Sequence, residues 1–413
     1  MAKNNNLNDF LTDIADAIRL KKGTTENINP QKFSSEIASI YDGSDISGES
    51  LGDVNYIDYD GTILYSYTAA QFIKLTAHPT APTRAGLVFQ EWNWPFADAL
   101  EYVKTYGCCD IGATYTTNDG KTRLYIRIDS EDRLDITLNF KQTVAFGTSV
   151  DWGEGNGNHT TETINAITSL SNSYEKVGDY IITITVADGC EVILGGNAAA
   201  RPLFSLTNNY GRAYANILRK VEIGNGITGL SAYAFYYSYS LSSVTLPNTL
   251  NTFGNSVFRE CRSIKHLSIP YQISNLGTHV CYSDDSIQTI SLPPTITSMP
   301  SNAFINCFAF RRVVIPPLVI TIAGSSLRAL YCVTKMVFPN VVNSIAANSF
   351  TNNHSTLVLD FSHHTSIVPT LENVNALSGM DTSNLKILVP SKKRAAWVTA
   401  TNWSSFSANI IGV

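Results

Sequence analysis

The sequence predicts a multidomain, mainly β protein that opens with short helices and ends in a solenoid. Three observations carry this expectation. From Leu218 onward an apolar pattern recurs every 23 residues without insertion, with unit starts at Leu218, Leu241, Ile264, Ile287, Phe310, Val333 and Thr356. Residues 53–190 hold runs that alternate apolar and polar positions between Asp-Gly and Asn-Asp-Gly turns, the period of strands. Residues 7–40 instead space their apolar side chains as helices do.

At the N-terminus, Leu7, Phe10, Leu11, Ile14, Ala15 and Ile18 share one helical stripe, and Lys21-Lys22-Gly23 ends it with positive charge and a glycine. A second short helix starts at Asn29-Pro30, an N-cap followed by proline in the first turn. It presents Phe33, Ile37 and Ile40 to the same side. Two such helices make too small a core to stand alone. They are expected to dock on a partner chain, or on copies of themselves, through Leu7, Phe10, Leu11, Ile14, Ile18, Phe33 and Ile37. The alternative is that they cap the domain that follows. Residues 1–43 form this module, and 44–52 reads as a flexible Gly- and Ser-rich linker.

Residues 53–132 are expected to form a small α+β domain. Tyr56–Tyr67 alternates around Asp60-Gly61 as a hairpin does. Phe96–Tyr106 has a helical pattern, with Trp92 and Trp94 placed beneath it. A second hairpin is expected at Asn118-Asp119-Gly120, with Leu124, Ile126 and Ile128 on one face of its return strand. Residues 133–194 read as a β-sandwich, with Leu134, Ile136 and Leu138 on one strand and Ile182, Ile184 and Val186 on another.

The solenoid with its caps is assigned to 195–413. Three residues after each unit start comes an inward apolar residue (Val221, Val244, Leu267, Ile290, Val313, Met336, Leu359), and two further on another (Ile223, Leu246, Ile269, Leu292, Ile315, Phe338, Phe361). Proline follows in five of the seven units and ends the strand, because it lacks an N–H and fixes its own φ. One unit cannot bury its apolar side alone, whereas stacked units share a continuous core. Gly195–Asn209 is expected to form the leading cap. At the far end a strand at 385–389, a helix from Ser391 with Ala395, Ala396 and Trp397 inward, and then Trp403, Phe406 and Ile410 are expected to close the core.

Several stretches resemble known families. The unit Leu-x-x-Val-x-Leu-Pro-x-x-Leu-x-x-Phe-x-x-x-x-Phe resembles the BspA-like leucine-rich repeats, and the ending LKILVPSKKRAAWVTATNWSSF is similar to the closing segment of such proteins. That resemblance implies a leucine-rich-repeat solenoid, a form carried by bacterial adhesins and phage fibres alike. The stretch YDGTILYSYTAAQFIKLTAHPTAPTRAGLVFQEWNW resembles β-grasp-like repeats of bacterial surface proteins. Val150-Asp151-Trp152-Gly153-Glu154-Gly155, with Tyr174 and Gly178-Asp179-Tyr180, looks like the PKD-type immunoglobulin-like fold, with Glu154 where that family has Asp and Ser173 in place of its usual His. The motif residues in that family are structural. The N-terminal pattern Leu11-x-Asp13-Ile14-Ala15-Asp16-Ala17-Ile18-Arg19, Lys22-Gly23-Thr24 and Ile28-x-Pro30 resembles a module at the start of phage structural proteins.

The totals narrow the function. Hydrophobic residues make up 44% of the chain, enough for real cores, and charged residues only 15%, below a usual share of roughly 25%. The net charge of -5 makes no electrostatic case for nucleic acid. No run approaches transmembrane length, and Met1–Asn6 lacks the apolar core of a signal peptide. The 7 cysteines show no Cys-x-x-Cys and read as buried free thiols. His363 and His364 are adjacent and have no third ligand at metal spacing. Glycine-loop, Gly-x-Ser-x-Gly and His-Glu-x-x-His motifs are absent, so neither an enzyme nor a cofactor is expected.

A ligand-binding face is expected where residues flank the inward strand positions: Ser243, Thr245, His266, Ser268, Thr289, Ser291, Arg312 and Lys335, with Lys220, Glu222, Val314 and Val337 in equivalent places. Tyr236, Tyr237 and Tyr239 add an aromatic cluster suited to stacking or hot-spot contacts. Taken together, the expectation is a bacteriophage virion protein. It would be a homo-oligomeric head or tail fibre that docks on other virion proteins by its N-terminus and offers the solenoid to a host-surface glycan or protein. The alternative is a leucine-rich-repeat adhesin on a bacterial cell surface.

Overall fold

The chain enters its first sheet at β1 (Val54–Ile57), turns at Gly61 into β2 (Ile63–Tyr67), and passes a short helix α1 (Ala69–Phe72). Next come β3 (Leu87–Trp92), helix α2 (Phe96–Tyr106) and β4 (Cys109–Thr117). The computed structural model describes residues 52–155, 157–199, 201–205 and 215–413. The two N-terminal helices, with Leu7, Phe10, Leu11, Ile14, Ile18, Phe33 and Ile37, lie outside the described residues.

These strands form a four-stranded sheet in the order β2-β1-β4-β3, with β1 and β4 parallel at its centre. Helix α2 stops at Gly107, whose φ of 79° is the left-handed cap that favours glycine, and whose N–H donates to Val103 O. Trp92, Trp94, Tyr102 and Val103 pack with Tyr56 and Phe72 into this unit's core.

Asn118-Asp119-Gly120 makes a turn but not the anticipated hairpin. Strand β5 (Thr122–Ile128) leaves β4 and pairs antiparallel with β10 (Gly178–Val186) and, on its other edge, with β13 (Leu218–Glu222). The partners decide this. β4 has both edges paired, with β1 and β3, and is buried at all nine positions, while Leu124, Ile126 and Ile128 find their burial with Ile182 and Ile184 in the larger core.

The intervening strands are β6 (Asp135–Gln142), β7 (Thr148–Asp151), β8 (Asn158–His159), β9 (Ile167–Ser173), β11 (Val192–Leu194) and β12 (Phe204–Ser205). They complete two facing sheets around Trp152, which is fully buried; its Nε1 donates to His159 Nδ1 (2.8 Å), and its carbonyl accepts from Tyr174 OH (2.9 Å). Neither sheet stops at the expected 194/195 boundary. One runs β15-β13-β5-β10-β7-β8 and the other β12-β6-β11-β14-β16, where β14 (Ile227–Leu230), β15 (Ser243–Thr245) and β16 (Thr252–Phe253) are solenoid strands. The two-sheet region is therefore the leading cap of the solenoid, a role expected of Gly195–Asn209 alone. Residues 52–413 form one compact unit.

Each solenoid unit has three sides. On the first, strands pair in parallel with the strand 23 residues on, as Lys220 with Ser243, His266 with Thr289 and Lys335 with Val358. On the second, two-residue strands do the same, as Ser298 with Thr321 and Thr321 with Ser344. The third side is built of turns. There each N–H of alternate residues donates to a carbonyl in the next unit, as Phe235 to Val257, Phe258 to Val280 and Phe304 to Ser326. This backbone needs two left-handed residues per unit, and they recur at the repeat spacing: Tyr233 and Tyr237, Ser256 and Glu260, His279 and Ser283, Asn302 and Asn306, Ser325 and Ala329, Asn348 and Asn352.

All the inward strand positions of the seven repeats are buried, from Val221 and Ile223 to Leu359 and Phe361. The far end is closed by Trp397 and Trp403, with ring centroids 5.1 Å (Phe361–Trp397) and 4.9 Å (Trp397–Trp403) apart. The closing helix expected from Ser391 is a 3-10 turn at Ser391–Lys393 followed by an α-helix at Arg394–Thr399. One turn and a half turns only Trp397 inward and leaves Ala395 and Ala396 exposed.

Candidate functional site

The first side of the solenoid is not the open face that its hydroxyl-rich sequence suggested. The α+β unit lies on it. Thr245, His266, Ser268, Thr289 and Ser291 are buried, and Val314 joins the α+β core. Asn93 Nδ2 donates to the carbonyls of Ile269 (2.8 Å) and Ser291 (2.9 Å), Trp94 Nε1 to Leu292 O (2.7 Å), and Tyr102 OH to Ile315 O (2.7 Å). Ser291 Oγ donates to Asp110 O (2.5 Å). Gly112 is required by this contact, since a Cβ there would stand 2.3 Å from Ser268 Oγ and 2.9 Å from Ser291 Cβ. Small hydroxyl side chains suit the face because they allow another backbone to approach.

The remaining strand residues follow from the same contact. His266 shares its nitrogens with Thr289 Oγ1 (2.7 Å) and Ser268 Oγ (3.0 Å), and burial pushes its pKa down to about 4. Arg312 pairs with Asp110 and donates to the carbonyls of Gly52 (2.7 Å) and Asp53 (3.1 Å). Only the ends of the face stay accessible. Ser243 is half-buried, and Lys335 is 52% exposed beside Asp360 (3.0 Å). A ligand therefore has no access to the middle of this sheet.

The third side carries a different arrangement. Tyr236, Tyr237 and Tyr239 lean against one another with tilted rings, centroids 3.9 Å (Tyr236–Tyr237) and 5.6 Å (Tyr237–Tyr239) apart. The repeat then continues them outward. Position 239 is followed at 23-residue steps by Arg262, Asp285, Phe308, Tyr331 and His354. Arg262 lies 5.3 Å over the Tyr239 ring and 3.7 Å from Asp285. Phe308 and Tyr331 stack at 4.7 Å, and His354 is 5.7 Å from Tyr331. A parallel column has Arg259 between the rings of Tyr236 (5.4 Å) and Tyr282 (4.5 Å). Sequence reasoning picked out the three tyrosines and missed the columns, although the 23-residue spacing carries them. In-register stacking places one such side chain every ~4.8 Å along the axis.

No helix among the described residues is long and apolar enough to cross a membrane, and no three His, Cys, Asp or Glu groups among them converge as metal ligands. His364 is buried and held down to about 4 by that burial, whereas His363 packs on Tyr106 at 5.1 Å. All 7 cysteines are free thiols.

Among solved structures, a leucine-rich repeat protein from Bacteroides ovatus is 12% identical over 45% of this chain and 60% of that chain, at a TM-score of 0.30. A leucine rich cell surface protein from Faecalibacterium prausnitzii is 17% identical over 43% of this chain and 69% of its own, at 0.25. The pneumococcal vaccine antigen PcpA is 11% identical over 47% and 66%, at 0.21. The chain thus spans less than two thirds of the first of these proteins. No curated protein matches it. Residues 228–357 match the BspA type leucine rich repeat region in 6 copies, and the solenoid is of that type over those residues.

Proposed function

We propose that this chain is a recognition protein displayed on a bacterial cell surface, an adhesin that contacts a host-surface ligand through the turn side of its solenoid. One observation carries the reading: the outward column Tyr239–Arg262–Asp285–Phe308–Tyr331–His354, in which Tyr331 is 40% exposed. Tyrosine and arginine are the side chains that most often anchor interfaces. A rigid ladder holds them in place before binding, so little ordering entropy is lost on contact. The BspA-type repeats and the low charged content of 15% fit a surface protein.

The test is adherence of the purified full chain to immobilised extracellular-matrix proteins and mucin, with Tyr331→Ala and Arg262→Ala as variants. Truncating an anchor of this kind costs about 2 kcal/mol or more, which lowers affinity over tenfold. Equal adherence of both variants removes the ladder from the binding surface.

A second reading has its own observation, the N-terminal pattern Leu11 to Pro30 that resembles the phage module. In that reading the chain is a homo-oligomeric virion projection docked by residues 1–43. Deleting those residues then abolishes incorporation into particles, and unchanged incorporation sinks the reading.

A further inference from the structure

The α+β unit leaves space where α2 crosses the turns that follow the solenoid strands. Two adjoining clefts open there, about 400 Å³ and about 420 Å³ in volume, inside the usual range for ligand sites of roughly 300–1,000 Å³. Tyr271 lines both. In the first cleft, α2 presents Asp98 and Glu101 opposite Pro294 and Leu318, which is 53% exposed. In the second, Phe89, Trp92 and Phe96 supply the walls and Glu91 the charge.

The chemistry of the lining selects an occupant. Its charged groups are three carboxylates, Glu91, Asp98 and Glu101, and no lysine or arginine lines either cleft. Several of the neutral donors are engaged: Thr105 Oγ1 donates to Glu101 O (3.1 Å), Thr295 Oγ1 to Ile273 O (2.8 Å), and His78 Nδ1 is bonded to Tyr56 OH (2.9 Å). Ionised carboxylates only accept, so a ligand that meets Glu91, Asp98 and Glu101 must bring donors to them. Phosphate, sulfate and uronate groups bring acceptors and like charge, and are disfavoured. A point cation needs converging ligands, and no three such groups converge among the described residues. Hydroxyl groups spread along a sugar chain meet spread acceptors, and their apolar ring faces lie against aromatic rings.

We propose that the paired clefts bind a neutral oligosaccharide, with Tyr271 as the ring between successive sugars. The site is separate from the ladder of the proposed adhesin surface, so either can fail without the other.

The experiment is calorimetric titration of the full chain with neutral hexasaccharides of glucose, mannose, galactose or N-acetylglucosamine, with oligogalacturonate, and with an arginine- and proline-rich peptide. At least one neutral series should bind and oligogalacturonate should not. Tyr271→Ala should weaken binding about tenfold or more, and Glu101→Gln, an exposed change that keeps the fold, should weaken it several-fold. Tyr331→Ala, on the ladder, should bind as the parent does. The proposal is overturned if no neutral hexasaccharide binds at millimolar concentration, if Tyr271→Ala and Glu101→Gln bind unchanged, or if the peptide binds in place of the sugars.

Discussion

Arg312 is the charged link between the α+β unit and the solenoid, and replacing it tests how that contact is held. Its partner Asp110 is 1% exposed, and the arginine side chain is 16% exposed. Apart from Arg312, the Asp110 carboxylate accepts a side-chain hydrogen bond from Asn55 Nδ2 (3.0 Å). Arg312→Met keeps the apolar stem and removes the guanidinium. That leaves a buried carboxylate without its counter-charge, and takes one of two donors from each of the carbonyls of Gly52 and Asp53, which keep Asn55 Nδ2 (3.1 Å) and Cys109 N (3.0 Å). Breaking a buried pair from one side costs about 3–5 kcal/mol. With an unfolding entropy of about 2.1 cal/mol/K per residue over 52–413, the melting temperature should fall by roughly 4–7 °C. Calorimetry reads the shift, and hydrogen exchange should quicken in β4 and at His266–Ser268. Adding Asp110→Asn should recover part of the loss, because the orphaned charge goes with it. A shift under about 1 °C with unchanged exchange, or strictly additive losses in the double variant, would refute the account.

Three further outcomes are expected. Asp284 is fully buried, and burial raises its pKa well above the usual carboxylate range, while the Cys261 N–H (2.6 Å) on Oδ1 pulls the other way. A raised folded pKa means full stability below the unfolded value and loss as pH climbs through the folded one. Asn353, three units on in the same register, accepts from Leu330 N (2.8 Å) and donates to Leu327 O (2.8 Å). Asp284→Asn should therefore add about 1 kcal/mol at pH 8 and less at pH 4; an equal effect at both would tell against it.

His266 and His364 are both held down to about 4 by burial. The unfolded chain binds more protons than the folded one between that value and about 6.5. The share of stability that depends on these two histidines should be complete above pH 6.5 and decline towards pH 4, and His266→Gln should flatten that decline of the urea midpoint. Ala329 sits at a φ of 57° and is 2% exposed. Ala329→Gly should relieve about 1 kcal/mol of left-handed strain, and a lower melting temperature would contradict that.

The solenoid was legible because its signal is local and repeated: Leu218 to Phe361 states the same inward positions seven times. What covers it was not. Asn93 reaches Ser291 across 198 residues of sequence and Arg312 reaches Asp110 across 202, and no periodicity encodes a partner that distant. Serine and threonine on a strand face look alike whether they meet water or another backbone. Asn118-Asp119-Gly120 shows the same gap at short range, since turn chemistry permits a reversal without choosing which strands then pair. The columns beyond Tyr239 failed for another reason. Their spacing is in plain view at Arg262, Phe308 and Tyr331, but arginine, aspartate, phenylalanine, tyrosine and histidine share no chemical type, so the column does not stand out as a repeated residue.

The way the α+β unit reaches along the solenoid also governs how this protein can change over generations. Gln90 Oε1 accepts from Asn248 N (2.8 Å) near the start of the repeats, and Tyr106 meets Asn340 N (3.3 Å) and the His363 ring near their end. A free-standing solenoid can gain or drop a whole turn by duplication, because each turn touches only its neighbours. Here one added turn between Pro270 and Asn340 would carry the far attachment points ~4.8 Å past Tyr106. The unit thus acts as a gauge: a turn gained or lost beneath it breaks one of its two attachments.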